Sequence, residues 1–249
     1  MTTAAEFHRA WRALPEACLR DITGSGTALI LAPHPDDESL GCGGLIAMCV
    51  AFGRPPLVAV LTDGAGSHPN SRAFPPDRLR AVRAQEVRDA VARLGLPADR
   101  LILLGEPDTA APHSGPAFDA IVDKLLSLVR SERHCTAILA PWRHDPHCDH
   151  EAASLIAAAV ARNVGIRHIA YPVWGWTLAA DTPVPGPVAI GWRLNIARNQ
   201  AAKRQAIEAH RTQYGGVITD DPTGFQLPPG LLSAFDSPFE TYLEGSDQS

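Results

Sequence analysis

The stretch TALILAPHPDDE (residues 27–38) decides how this chain is read. Its first half is a short apolar run of the kind that fills the interior of a sheet. Its second half sets one histidine and three carboxylates at the carboxyl end of that run. Adjacent like charges repel one another, and burying them unpaired costs several kcal/mol. A cation would remove that penalty, so the remaining parts of a metal site have to be sought elsewhere in the chain.

Working outward, PLVAVLT (56–62), RLILLG (100–105), TAILAP (136–141) and RHIAYPV (167–173) read as further strands. Between them SLGCGGLIAMCVAF (39–52), DRLRAVRAQEVRDAVARLG (77–95), AFDAIVDKLLSLVR (117–130) and EAASLIAAAVARN (151–163) read as helices, with Asp77 as an N-cap and Gly95 as a stop. The polar, proline-rich DGAGSHPNSRAFPPD (63–77) is a loop. This alternation predicts an α/β fold: a Rossmann-like, mostly parallel sheet with helices on both faces. Ligands of such sheets bind beyond the carboxyl ends of the strands. HPDDE and a second cluster, HDPHCDH (144–150), each begin within a few residues of such an end, so they should meet on one rim. After Val173 the pattern weakens. DTPVPGPV (181–188) is loop-like, VAIGWRLNI (188–196) could be a strand, and NQAAKRQAIEAHRTQY (199–214) is a helix. The expected organisation is one domain over 1–249, with a core at about 25–173 and a small C-terminal appendage at about 174–249 that could wall off the rim.

The 249 residues, 45% hydrophobic and 20% charged, suffice for a full core. A net charge of −5 gives no reason to expect nucleic acid or an anionic membrane as partner. The N-terminus mixes charges without an apolar run, and LIAMCVAF (45–52) is too short to span a bilayer. The cysteines are odd in number and form no CxxC pair, which points to reduced thiols and a cytoplasmic location. Oligomeric state leaves no signal.

A catalytic zinc is held by three nitrogen or oxygen ligands with one position left for water. His34 with Asp37, three apart, plus His150 from the second cluster, supply that count, and Pro35 stiffens the turn between the first two. APHPDDE and PHCDH resemble the two signature motifs of the PIG-L/LmbE family of zinc-dependent de-N-acetylases. TDG (62–64), RAQE (83–86) and KRQAIEAHRTQ (203–213) resemble further blocks of that family. The resemblance implies one Zn2+ per chain on His34, Asp37 and His150, with Asp36 as the general base that deprotonates the attacking water. It makes His147 the group that stabilises the oxyanion or protonates the departing amine, and Asp149 the residue that orients His147. The implied substrate is a small N-acetylated amino sugar or glycoconjugate. Zinc would acidify the water and polarise the amide carbonyl, while the carboxylate moves the proton. Iron(II) or cobalt could use the same ligands.

Other residues admit two readings. Glu38 reads as a first-turn carboxylate stabilised by the helix dipole. His144 and Asp145 are either partners of the ligands or polar loop residues, and Cys148 is a spacer. Arg83 and Glu86 would by default form an exposed ion pair. Projected at ~100° per residue, both fall inside the apolar arc of Leu79, Val82, Val87, Ala90 and Leu94. They are expected to face inward as a pair that supports the rim loops. Asp63 is a turn residue or a contact to substrate. Trp174 and Trp176, if on a strand, would face one side, as a sugar platform or as core. His210 is a candidate pocket residue. Two rivals remain. A magnesium phosphohydrolase is disfavoured by the histidine ligands. A non-catalytic sugar-binding relative is disfavoured because Asp36, His147 and Asp149 are all present. The loops at 66–77 and 181–188 are expected to set specificity.

Overall fold

Short apolar runs alternating with longer amphipathic ones become, in the computed structural model of the protein, a sheet with helices against both faces. The structure describes residues 2–132, 134–188 and 190–245. In chain order these form β1 (Thr2–Thr3), α1 (Ala4–Ala13), β2 (Glu16–Ala17), α2 (Leu19–Thr23), β3 (Thr27–Ala32), α3 (Asp37–Ala51), β4 (Leu57–Thr62), α4 (Pro76–Arg93), β5 (Leu101–Glu106), α5 (Gly115–Ser131), β6 (Cys135–Pro141), α6 (Cys148–Val164), β7 (Arg167–Tyr171), β8 (Pro183–Val184), β9 (Gly191–Asn195), α7 (Gln200–Ala209), α8 (Arg211–Tyr214), α9 (Pro229–Phe235) and β10 (Phe239–Glu244).

Eight strands share one sheet in the order β2-β9-β10-β7-β6-β3-β4-β5, and β1 pairs with β8 apart from it. β7, β6, β3, β4 and β5 run parallel, as expected from the alternation. Both faces of this block are covered, so β3 and β4 are apolar apart from the terminal Thr27 and Thr62 instead of alternating. Ile30, Val58, Val60 and Leu139 pack under α3, α4 and α7 on one face, while Leu29, Leu31, Ala59 and Ile138 pack under α5 and α6 on the other. The chain moves from β3 outward to β4 and β5, then returns to the far side of β3 as β6 and β7. The order therefore reverses between β3 and β6, and such a switch point is where open α/β sheets form their binding crevice.

α3 is buried on nearly every side. Its glycines admit close neighbours: a Cβ on Gly41 would lie 2.2 Å from the Tyr171 ring. The buried Glu240 carboxylate of β10 accepts the amides of Gly44 and Leu45, the Tyr242 hydroxyl and the Lys203 ammonium, tying the C-terminal strand to α3 and α7.

Several local expectations change. The segment beyond 173, read as an appendage, contributes β9 and β10 to the main sheet, and β10 runs antiparallel to both neighbours. The strand expected over 188–196 runs from Gly191 to Asn195, and Ala189 lies outside the described residues. α4 begins at Pro76, so Asp77 sits inside its first turn and is not the cap; proline at a helix start is favoured because its missing N–H would be unpaired there anyway. The helix expected over 199–214 breaks at His210, whose ψ of 60° ends α7 and starts α8. Among the described residues no helix is long and apolar enough to cross a membrane.

Candidate active site

The turn after β3 carries the first cluster. Asp36 has φ 148°, a region that residues other than glycine enter only when their surroundings hold them there. Its amide donates to Glu38 Oε2 (3.0 Å). Arg83 Nη2 donates to Pro35 O (2.7 Å) and Asp36 Oδ2 (3.2 Å), and Nη1 donates to Gly64 O (2.8 Å). Gly64 has to be glycine, since its φ is 66° and a Cβ there would lie 2.4 Å from Arg83 Nη1. Arg83 and Glu86 do face inward, at 2% and 7% exposure, but they do not pair with each other. Glu86 instead accepts the Thr212 amide (2.8 Å) and hydroxyl (2.6 Å), pinning α8. Glu38 is likewise more than a first-turn charge: it is fully buried, and besides the Asp36 amide it meets the Ser39 hydroxyl (2.6 Å) and His210 Nε2 (2.9 Å). His210 thus stands behind Glu38, outside the cleft.

The second cluster follows β6 and opens α6, one strand away. His150 Nδ1 faces Asp145 Oδ2 at 3.0 Å, and His34 Nε2 faces Asp149 Oδ2 at 3.1 Å and Asp108 Oδ1 at 3.3 Å. Ionised carboxylates only accept, so these ring nitrogens donate, and the opposite nitrogens are turned toward Asp37. Those two, His34 Nδ1 and His150 Nε2, lie 3.1 and 3.3 Å from Asp37 Oδ2. His150 Nε2 is buried without a hydrogen-bond partner. Ligands about 2.0–2.1 Å from one tetrahedral ion sit about 3.3 Å apart, which is close to the distance of each histidine nitrogen from Asp37 Oδ2. His34, His147 and His150 also bring three ring nitrogens within 4.8 Å of one another.

The electrostatics agree with that arrangement. Burial opposes a charge on His34, yet hydrogen bonds to Asp108, Asp149 and Asp37 raise its proton affinity well above the usual range. His150 rises to about 9 against burial, through Asp37 and Asp145. Asp37 is held low despite burial by the charge of His150 and by the close approach of both histidine rings to its carboxylate. Asp36 goes the other way: burial pushes it up to about 7, with Arg83 opposing and Asp37 adding. Two neighbouring carboxylates are thereby driven apart, one held ionised and one able to hold a proton near neutral pH.

His147 is the N-cap of α6, and its Nδ1 accepts the Asp149 amide (3.2 Å), which leaves any proton of the neutral ring on Nε2. Burial, with His34 and His150 nearby, lowers its pKa and favours that neutral form. Asp149, expected beside His147, turns its carboxylate to His34 and to the amides of Thr109 (2.8 Å) and Ala111 (3.0 Å). Asp145 proves to be a partner of the cluster: besides His150 it accepts the amides of Val173, Trp174 and Gly175. Those bonds wind 174–177 into a 3-10 turn, so Trp174 and Trp176 do not share a strand face. Trp174 lines the cleft against Phe225, whereas Trp176 packs on His8 and Trp11 and borders a separate cavity of about 350 Å³. Asp63 lies off the cleft, accepting from Arg80 Nε (2.7 Å) and the Ala65 amide (2.9 Å). His144 packs edge-on against Trp142 and also stays outside.

The cleft has a volume of about 580 Å³. Its floor holds His34, Asp36, Asp37, Arg83, Asp108 and His147, and its wall includes Trp174, Gln213, Phe225 and Leu227. Sequence reasoning missed Asp108, although EPDTAAP (106–112) is a polar segment at the carboxyl end of β5, the same signal that exposed HPDDE. Phe225 and Leu227 gave no comparable signal.

Fold and site together define an α/β protein with a buried histidine–carboxylate centre at the switch point of a parallel sheet. Residues 29–161, just over half of the chain, match the family model described as PIG-L, GlcNAc-PI de-N-acetylase. The chain belongs to this family. It is 28% identical to a 1D-myo-inositol 2-acetamido-2-deoxy-alpha-D-glucopyranoside deacetylase of Nocardia farcinica, covering 81% of this chain and 84% of that protein. It is 29% identical to a 2'-N-acetylparomamine deacetylase of Streptomyces fradiae, over 61% of this chain and 57% of the relative. The fold is similar to that of a conserved protein of Thermus thermophilus, with a TM-score of 0.63 and 24% identity over 89% of this chain and 95% of the other.

Proposed function

We propose that this enzyme, a deacetylase of the PIG-L family, removes the N-acetyl group of a small amino sugar or its conjugate, with zinc on His34, Asp37 and His150 and with Asp36 as general base. The observation that carries this reading is the convergence of His34 Nδ1 and His150 Nε2 on Asp37 Oδ2, beside a strained and buried Asp36. Two nitrogens and one carboxylate oxygen are a donor set suited to zinc. Bound there, a divalent cation acidifies water and polarises the amide carbonyl.

The protein's own groups supply the rest. Asp36, with one oxygen on Arg83 and a pKa near neutrality, takes the proton of the water as its oxygen bonds to the acetyl carbon. His147 donates Nε2–H to the carbonyl oxygen as negative charge develops, the kind of fixed donor that stabilises an oxyanion. Asp36 passes its proton to the nitrogen as the C–N bond breaks, and acetate and a free amine leave. Asp145, Asp108 and Asp149 hold the two histidines in the tautomers that face Asp37. One relative named above is a deacetylase of an acetamido-deoxy-glucopyranoside and the other of an N-acetylated paromamine, which supports the substrate class. Five free cysteines suit a reducing compartment, and we place the enzyme in the cytoplasm.

The test is acetate release from a panel of N-acetylated amino sugars, after chelation and again after zinc is restored. Release that is lost and regained supports the reading. Release indifferent to chelation, or cleavage of a phosphate ester in its place, contradicts it.

A further inference from the structure

Charge in the cleft is confined to the floor. Beyond the six floor residues no lining side chain among the described residues is charged, and Leu40, Pro69, Pro146, Trp174, Phe225 and Leu227 give the wall an apolar character. Arg83, the arginine of the lining, turns Nη1 to Gly64 and Nη2 to Pro35 and Asp36, and its Nε is buried, so its charge is held at the floor and not along the wall. An ionic group lying along this wall would lose water and meet only the neutral polar side chains of Ser67, Thr109, Gln213 and Thr223, with no opposite charge to offset it, a cost that an apolar face avoids.

Resting on the deacetylase reading, we propose that the substrate carries, beyond its acetamido sugar, a neutral aglycone with an apolar or aromatic face, seated against Trp174 and Phe225. These two rings meet edge to face, with centroids 5.4 Å apart and planes at 66°, and both line the cleft and are only half-buried. The wall is held on both sides. Trp174 hangs from Asp145, the same carboxylate that holds His150. The segment bearing Phe225 is clasped to the loop after β4. Asp220 accepts the Ser71 hydroxyl (2.7 Å) and the amides of Arg72 (2.8 Å) and Ala73 (2.9 Å), and Asp221 accepts the Asn70 amide (2.9 Å). The Phe225 amide donates to Ser67 O (2.7 Å), and Gly224 lies so close to His68 that a Cβ would fall 2.1 Å from its ring. Asp220 and Asp221 are thus positioning residues, setting the distance between the aromatic wall and the reacting carbonyl.

Binding is measured by tryptophan fluorescence in the Asp36→Ala protein, so that the outcome does not depend on turnover. The probes are phenyl N-acetyl-β-glucosaminide, free N-acetylglucosamine and N-acetylglucosamine phosphate. The phenyl glycoside is expected to bind about tenfold more tightly than the free sugar, the size of one good aromatic contact, and the phosphate no more tightly. Phe225→Ala should remove most of that preference. In the otherwise native enzyme Asp220→Ala with Asp221→Ala should raise KM for the phenyl glycoside more than it lowers kcat, with metal content unchanged. Equal or better binding of the phosphate, or a preference that survives Phe225→Ala, overturns the proposal. A phenyl preference without acetate release from the native enzyme would overturn the deacetylase reading and leave the apolar wall standing.

Discussion

The floor and the wall of the cleft are built in different ways. The floor residues His34, Asp36, Asp37 and His147, and the buried His150, follow two adjacent parallel strands, in the connecting turn or the first helical turn after the strand that carries each. Their polar atoms are fixed by buried partners. The wall residues Trp174, Phe225 and Leu227 come from a 3-10 turn and a loop, and the loop's place depends on bonds such as Asp220 to Arg72, 148 residues apart in sequence. The sheet therefore fixes the chemistry, and the loops fix what is brought to it. Loops of this kind can change without disturbing the strand ends, which is how one centre can serve different substrates.

Substitutions should separate the two regions, beginning with the floor. His150→Ala removes a proposed ligand, so metal content by elemental analysis should collapse and acetate release with it; an unchanged stoichiometry would take His150 out of the ligand set. Asp145→Ala frees the His150 ring, and loss of such a partner typically costs 10–100-fold in metal affinity. A competition titration against a chelator measures that loss, and because Asp145 also holds Trp174, affinity for the phenyl glycoside should fall too. Gly41→Ala drives a methyl into the Tyr171 ring behind α3, and overpacking of this kind costs typically 1–3 kcal/mol, readable as a lower Tm. If Tm does not move, α3 is not seated as tightly as its glycines imply.

The smallest effect belongs to the wall. Hydrogen bonds from the Ala73 amide, the Ser71 hydroxyl and the Arg72 amide hold the Asp220 carboxyl below its ordinary 3.8. A depressed folded-state pKa means the stabilisation is complete above the unfolded value and is lost as pH falls through the folded one. Exchange of the Arg72 and Ala73 amides should accelerate, relative to the intrinsic rate, only below about pH 4. Protection that does not change down to pH 2 would show that the clasp is held by something else.

Much of the floor was legible because its signals are local. A histidine and three acids after an apolar strand, and a second cluster after another strand, place both motifs on one rim once the sheet is parallel. The 3.6-residue period likewise turned Arg83 and Glu86 inward. It could not say that Arg83 would bond the backbone around Asp36 or that Glu86 would take Thr212, since those partners lie outside the helix. The pattern at 174–176 left a strand face and a core position both open, because Asp145 captures three successive amides there and winds a turn that no local propensity demands. Asp149 was assigned to its neighbour His147, yet its helical position aims it at His34. β10 escaped notice because FETYLE (239–244) mixes charge with apolar residues, one of them the Glu240 that is neutralised inside the core by Lys203.

Everything proposed for the floor turns on a division of labour in which Asp37 holds the cation while Asp36, one residue away, moves the proton. Metal content and acetate release, read on the same preparation of Asp36→Ala, put that division to the test. One metal per chain is expected, as in the native protein, with release reduced by about 10²–10⁴-fold, the usual worth of a general base. Loss of the metal, or release that persists at the native rate, would show that the roles of the two aspartates are wrongly divided.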